Sequence, residues 1–520
     1  MKHRLEIYDT TLRDGCQGVD INFSIDDKID IAVELDKIHV DYIEGGFPFS
    51  NPKDHAFFER ASSMSWKHAR IASFGSTRKP HIAAEKDEQI RSLLETQTPV
   101  VTIVGKSWTA HVEEVLNTSL DENLNMIADT IRFLKSEGRE VVFDAEHFFE
   151  GFLNDKSYAL KVLLVASEAG ADRVVICDTN GGMLSHMVRD MILQLPLKEL
   201  APLGGHFHND AGTAEANSIE AVLAGASHVQ GTLNGWGERC GNADLCTLIP
   251  SFSLKTEYVP HSGDYINKLT SLSRFVAEKA NVIHNKRLPY VGEAAFSHKA
   301  GQHADVIVKS AHRMEHIDAS VVGNERHVLL SELAGKSTII ARLEQYGTFD
   351  KKSPEVKELI DLLVMKEADG FSFEAAEASF ELLILRTLKK YKSFHQLKHY
   401  HIESFKTKGT TGKTFARIYL NISDSEVMGG ANGVGPVETL DKTFRNALEE
   451  HFPFLKNISL TDYRVRVIDG EHSTEAKVRV FVTASDHKQS WNTIGVHQNV
   501  IEASYMALVD SYDYYFNVLL

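Results

Sequence analysis

His206 and His208 stand two residues apart in the run His206-Phe207-His208-Asn209-Asp210. On a strand that spacing turns both imidazoles to one face. Two imidazoles side by side at a strand end begin a metal site, although two such histidines alone are more often structural or incidental. Asp14, just past the first apolar-alternating stretch, offers a hard oxygen to go with them. Carboxylate, imidazole and water together suit Mg²⁺, Mn²⁺ or Zn²⁺ in an open site better than a closed structural zinc site. An open position is what lets a cation chelate a substrate and polarise its carbonyl.

Other residues could complete such a site. Arg13 precedes Asp14; it either forms a salt bridge, with Glu44 or Glu146 as partner, or aims fixed N–H donors at an oxyanion. Asp178-Thr179-Asn180-Gly181-Gly182 reads as a turn, yet its Thr hydroxyl and N–H groups could also hold a carboxylate. In Gly237-Glu238-Arg239-Cys240-Gly241-Asn242, Asn242 is a candidate fourth oxygen ligand, and Cys240 reads as a small packing residue rather than a reactive thiol. His298 and His303 lie in a polar stretch further on, where an imidazole folded over the site would serve as general acid or base near neutral pH.

The elements that must position these residues alternate. Strand-like runs at 5–10, 40–45, 70–74, 100–104, 140–145, 173–177, 203–208 and 228–233 are separated by helical patterns. One of these is Ser24–Lys37, with Ser24 as N-cap and Asp26 and Asp27 in the first turn. Eight β-then-α units over about 250 residues predict a TIM barrel. The doubly wound competitor would carry a Gly-x-Gly-x-x-Gly after its first strand, which this chain lacks. Asp9-Thr10-Thr11 with Arg13-Asp14, Glu44, Glu146, Asp178-Thr179, His206 with His208, and the stretch from Asn234 to Asn242 all fall at the carboxyl ends of these runs. That is the rim where barrels keep their active sites.

The rhythm changes past residue 275. Helices are expected at 274–283, 351–365 and 373–388, then strands at 415–420, 463–468 and 477–482 with helices at 437–450 and 500–511. The α/β reading is therefore a barrel over 1–275, mainly helical linker subdomains over 276–395, and a small α+β domain over 396–520. The Gly-rich run 429–436 is a candidate phosphate loop, without the Gly-Lys-Ser/Thr ending of the P-loop.

A formal charge of -16 with no long Lys/Arg block argues against nucleic acid or an anionic membrane as partner. The N-terminus shows no secretory signal and no apolar run approaches the ~20 residues of a membrane span. The cysteines, Cys16, Cys177, Cys240 and Cys246, form no Cys-x-x-Cys pair. A reducing, cytoplasmic setting is expected.

Several motifs together resemble a known family. Asp9-Thr10-Thr11-Leu12-Arg13-Asp14-Gly15 with Gln17, the His-x-His-Asn-Asp run and Gly-Glu-Arg-Cys-Gly-Asn are similar to the Claisen-condensing synthases of 2-oxo acids and the related hydroxymethylglutaryl-CoA lyases. Supporting segments are 41–48 leading to Ser50-Asn51-Pro52-Lys53-Asp54, then Gly105-Lys106-Ser107-Trp108 and 143–149. The tail, from Thr493-Ile494-Gly495-Val496 to Ile501-Glu502-Ala503-Ser504, resembles the family's regulatory, dimer-associated domain. The resemblance implies a divalent cation held by Asp14, His206, His208 and Asn242. It implies that Arg13 stabilises enolate and alkoxide oxygens, that Thr179 holds the keto-acid carboxylate with Gln17 and Glu44 also at the substrate, that Glu146 orders the site, and that His303 takes part in acid–base chemistry. The implied reaction is an acyl transfer condensing acetyl-CoA with pyruvate and hydrolysing the thioester. 2-Oxoisovalerate as acceptor is the closest alternative, and carbon–carbon cleavage the second. A homodimer and inhibition by isoleucine at the last domain are implied as well.

Overall fold

The computed structural model describes residues 3–298, 314–328, 336–350, 352–406, 412–423, 425–468, 476–486 and 489–520. The chain divides into two compact units, one of residues 1–296 with 317–326, the other of 297–316 with 327–520.

The first unit is the expected barrel. Its strands are β1 (His3–Asp9), β2 (Tyr42–Gly46), β3 (Arg70–Ser76), β4 (Val100–Lys106), β5 (Glu140–Glu146), β6 (Arg173–Asp178), β7 (Leu203–Phe207) and β8 (His228–Gly231). They pair in parallel in chain order, and β1 closes the sheet by pairing with both β8 and β2. Helices follow each strand, as at Ile25–Lys37, Pro52–Ser62 and Leu120–Ser136. The first begins in a reciprocal cap: Ser24 Oγ accepts from the Asp27 amide at 3.1 Å and Asp27 Oδ2 accepts from the Ser24 amide at 3.0 Å. A short ninth strand, β9 (Tyr258–Pro260), was not expected; it adds to the outer edge of β1 at His3.

Strands buried on both faces explain the apolar runs. Outward side chains join the core beneath the helices, while Tyr8, Tyr42, Ala72, Val100, Val142, Val175 and Cys177 form a separate cluster inside the barrel. The strands' amino ends are bridged by ions: Glu6 pairs with Arg173, which also reaches Glu140 at 3.0 Å, and Tyr42 donates to the same Glu140 oxygen at 2.8 Å. Toward the carboxyl ends the lining turns polar, with Glu44, Thr102, Asp144, Gln230 and His206 all buried.

In the second unit, the two-residue strands β10 (Ser297–His298) and β11 (His327–Val328) pair in parallel. Helices Pro354–Ala368 and Glu377–Thr387 follow, near the expected positions. Then a three-strands-plus-helix pattern occurs twice. β12 (Gln396–Phe405), β13 (Lys413–Ile422) and β14 (Ser425–Gly433) precede helix Pro436–Leu448; β15 (Ser459–Val467), β16 (Val478–Ser485) and β17 (Ser490–His497) precede helix Val500–Tyr514. This is the α+β domain, with β12, β14 and β17 added to the expected strands. The Gly-rich run is mostly strand, not a phosphate loop. A Cβ at Gly429 would stand 2.3 Å from the Thr443 carbonyl and 2.8 Å from Ala447 Cβ, so the glycine lets the helix lie directly on the strand. No described helix is long and apolar enough to cross a membrane.

Candidate metal centre

The chain turns sharply after β1. The amides of Arg13, Asp14 and Gly15 reach back to the Thr10 carbonyl at 3.1, 2.9 and 3.1 Å. Asp9 serves this turn, accepting from the Thr11 amide at 3.0 Å and hydroxyl at 2.8 Å. The turn brings Asp14 against the end of β7. Asp14 Oδ2 lies 3.3 Å from His206 Nε2 and 3.9 Å from His208 Nε2, and the two nitrogens are 3.4 Å apart. All three side chains are buried, and together they form a group able to hold a cation. Asn242 is drawn in by a backbone bridge to His208. Its Oδ1, like His208 Nδ1, is buried without a protein partner.

The electrostatics of this pocket call for positive charge. Burial pushes the Asp14 carboxyl up, but Arg13 and the two histidines outweigh it and hold the group well below the usual carboxylate range. Burial pushes His206 down, yet its contact with Asp14 prevails and raises it. His208 is driven down to about 4 by burial and then by His206. An ionised carboxylate, an imidazole drawn toward charge and a neutral imidazole, with an unpartnered amide oxygen beside them, fit a divalent cation of the hard to borderline class.

Arg13 is held from two sides. Its Nε donates to Glu44 Oε2 at 2.7 Å, and its guanidinium lies 3.9 Å from the Phe74 ring centre. Glu44 is fully buried and accepts from the Tyr8 hydroxyl at 2.9 Å, leaving the Tyr8 oxygen 2.6 Å from Thr102 Oγ1. Of the two expected partners the structure selects Glu44. Glu146 pairs instead with Lys106, whose position at the end of β4 puts it beside Glu146 across the β4–β5 ladder. Gln17 lines a cavity of about 280 Å³ with Arg13, Cys16, Phe47 and Phe74.

The loops after β6 and β8 are tied together. Asp178 closes its own turn, its carboxylate accepting from the amides of Gly182 at 3.2 Å and Met183 at 2.9 Å. Those amides are therefore used. Thr179 Oγ1 accepts from the His147 amide at 2.9 Å, so its own proton stays free to donate. Arg239 grips Asp210 with two bonds of 2.8 and 3.0 Å and reaches the Thr179 carbonyl at 2.7 Å. Gly241, at φ +90°, would place a Cβ 1.9 Å from the Gly235 carbonyl, and only glycine allows the turn that delivers Asn242. Cys240 is exposed, contrary to the packing role expected of it. His298 pairs with Glu315 at 3.1 Å within the second unit. His303 lies outside the described residues.

Three site residues had no assigned role in the sequence: Lys106, Asp144 and Gln230. Gln230 Oε1 stands 2.9 Å from His206 Nδ1, and its amide nitrogen donates to Asp144 Oδ1 at 3.0 Å. The available signal was strand parity, because Asp144 shares a face with Glu146.

The HMGL-like family profile matches residues 4–276, the homocitrate synthase post-HMGL domain-like profile 290–368, and the LeuA allosteric (dimerisation) domain 374–516. The chain is 47% identical to an (R)-citramalate synthase of Aquifex aeolicus, over 99% of this chain and 98% of that one. It is 43% identical to an (R)-citramalate synthase of Geobacter sulfurreducens, over 98% and 97%. A 2-isopropylmalate synthase of Methanocaldococcus jannaschii is 29% identical, over 98% and 94%.

Proposed function

Because the chain belongs to the HMGL-like family and stands within it among the (R)-citramalate synthases, we propose that the barrel mouth joins acetyl-CoA to pyruvate. The reaction makes (R)-citramalate and CoA. The acetyl methyl loses a proton, its carbon bonds to the keto carbon of pyruvate, the resulting alkoxide is protonated, and water cleaves the thioester. The observation that carries the site assignment is the buried convergence of Asp14, His206 and His208 on one point.

Asp14, His206, His208 and Asn242 are the ligands in this reading, for Mg²⁺ or Mn²⁺ first and Zn²⁺ second. Bound there, the cation supplies Lewis-acid polarisation of the 2-oxo group. Arg13, aimed by Glu44, points N–H donors at the oxygen that gains charge as the new bond forms. The free Thr179 proton donates to the substrate carboxylate, and Glu146, clamped by Lys106, orders that side of the site. Gln17 faces the acyl donor from the cavity beside Arg13. His303 supplies acid–base chemistry, an assignment made from its place in the sequence.

Catalysis is assigned to residues 1–275, with 276–395 as linker and 396–520 as a regulatory domain that dimerises the chain and takes isoleucine as effector. The allosteric-domain match at 374–516 supports this, and unchanged kinetics at saturating isoleucine would count against it. A cytoplasmic location accords with four cysteines left free. A thiol-release assay with acetyl-CoA, a divalent cation and a panel of 2-oxo acids tests the substrate. Pyruvate is expected to give the highest kcat/KM, and a preference for 2-oxoisovalerate would overturn the reading.

A further inference from the structure

Asp144, Gln230 and His206 come from β5, β8 and β7, and all three are buried inside the barrel. The Gln230 amide nitrogen donates to Asp144 Oδ1 at 3.0 Å. Against an ionised Asp144, turning that amide over would set two acceptor oxygens against each other away from water, which is unfavourable. Asp144 therefore fixes which end of Gln230 faces the other way. That end is Oε1, which lies 2.9 Å from His206 Nδ1. An amide oxygen only accepts, so Nδ1 must carry the proton and the lone pair of a neutral His206 is left on Nε2. Nε2 is the atom that faces Asp14 at 3.3 Å and His208 at 3.4 Å. His208 has no comparable restraint, since its Nδ1 is buried without a protein partner.

We propose that Asp144 and Gln230 are positioning residues that lock His206 in the one tautomer able to ligate at Nε2, making His206 the pre-set ligand and His208 the adaptable one. The proposal rests on the metal reading above. Outer-shell partners of this kind are worth about 10- to 100-fold in metal affinity.

The test is the Mn²⁺ dissociation constant of the full-length protein, measured by electron paramagnetic resonance of the free ion. Gln230→Met keeps the volume and removes the acceptor, and should weaken binding about 10- to 100-fold. Gln230→Glu keeps an oxygen acceptor at His206 Nδ1 and shares one proton with Asp144, so its affinity should stay close to wild type. The double variant D144N/Q230E reverses the relay. The carboxylate then on β8 accepts from His206 Nδ1 and also receives a bond from the amide then on β5, so this variant too should bind close to wild type. A residue that merely filled space would tolerate methionine as well as it tolerates exchange of the two head groups. Wild-type affinity in Gln230→Met, or a double variant as weak as Gln230→Met, overturns the relay. Equal Mn²⁺ binding by wild type and Asp14→Asn would overturn the metal reading itself, which separates the two failures.

Discussion

Replacing Glu44 by glutamine or by alanine removes the same charge from the barrel but leaves different hydrogen bonds behind. In Glu44→Gln the amide can turn so that its oxygen accepts from Arg13 Nε and its nitrogen donates to the Tyr8 oxygen. Tyr8 then gives its own proton to Thr102, already 2.6 Å away, and every group stays paired. What is lost is the carboxylate's charge assistance on both bonds, for each the difference between ~1.5–3 and ~1 kcal/mol, or roughly 1–2 kcal/mol on the Arg13 side. If the same loss appears at the transition state, kcat/KM falls about 5- to 30-fold. Glu44→Ala leaves the Arg13 N–H and the Tyr8 hydroxyl without partners in a buried place, which costs about 3–5 kcal/mol of stability. With Arg13 no longer aimed, kcat/KM should fall by about 10²–10³, the usual effect of losing an oxyanion donor. The Phe74 contact and the 3.7 Å approach to Asp14 survive in both variants, so the contrast isolates the Glu44 bond. Initial-rate thiol release against pyruvate measures the first effect, and denaturant unfolding followed by near-ultraviolet circular dichroism measures the second. A folded Glu44→Ala protein with wild-type kcat/KM would refute the role given to Arg13.

Three further outcomes are expected. His208→Ala, stripped with chelator and resupplied with Mg²⁺, should lose at least about 10³-fold in kcat, and full activity would remove His208 from the ligand set. Asp244 caps the helix after β8 through the Cys246 amide at 2.9 Å, and burial raises its carboxyl to about 7. A raised folded value means the native state holds the proton more tightly, so this group's stabilising contribution is present below the ordinary carboxylate value and is lost as pH rises to about 7. Asp244→Asn keeps the capping oxygen and should raise the urea midpoint more at about pH 8 than at about pH 5; equal shifts at both would refute the titration. Gly429→Val drives its side chain into the Thr443 carbonyl and should lower the unfolding midpoint of the second unit by the equivalent of ~3 kcal/mol, and an unchanged calorimetric trace would show that the helix does not rest on that glycine.

The barrel was legible because parallel strands buried on both faces read as β-branched runs, as in Val100-Val101-Thr102-Ile103-Val104, between helices of ordinary amphipathic period. The histidine pair was legible through parity, since residues two apart on a strand must share a face. β12 was not, because its residues Gln396–Phe405 are mostly exposed and carry no apolar alternation. β14 was hidden by glycines that look like turn formers and act as a seat for a helix. Asp144 and Gln230 are 86 residues apart and meet only because barrel closure carries β5 and β8 round to face one another. No local pattern contains that encounter. Arg13 shows the intermediate case: its type and place predicted an ion pair, but choosing Glu44 over Glu146 required knowing that Lys106 already claims Glu146.

These pairings also bear on which substrate the mouth accepts. Lys106 and Glu146 neutralise each other, as do Arg239 and Asp210. Around the metal pocket the fixed charges are Arg13 against Glu44, Asp14 and Asp144, a balance of two negative charges while Asp144 is ionised and both histidines are neutral. A divalent cation cancels that balance in a site whose walls are buried, where an unbalanced charge is expensive. An anionic substrate must then be met by bonds of its own. A 2-oxo acid brings a single carboxylate beside the ketone to be attacked, and in the proposed reading the unspent Thr179 proton donates to it. An ester or amide of the same acid would leave those charge-assisted bonds unmade. It should lose most of its kcat/KM relative to the free acid, by about 10² or more if the carboxylate's charge-assisted hydrogen bonds contribute ~3 kcal/mol. Comparable turnover of pyruvate and pyruvamide would show that charge does not select the substrate.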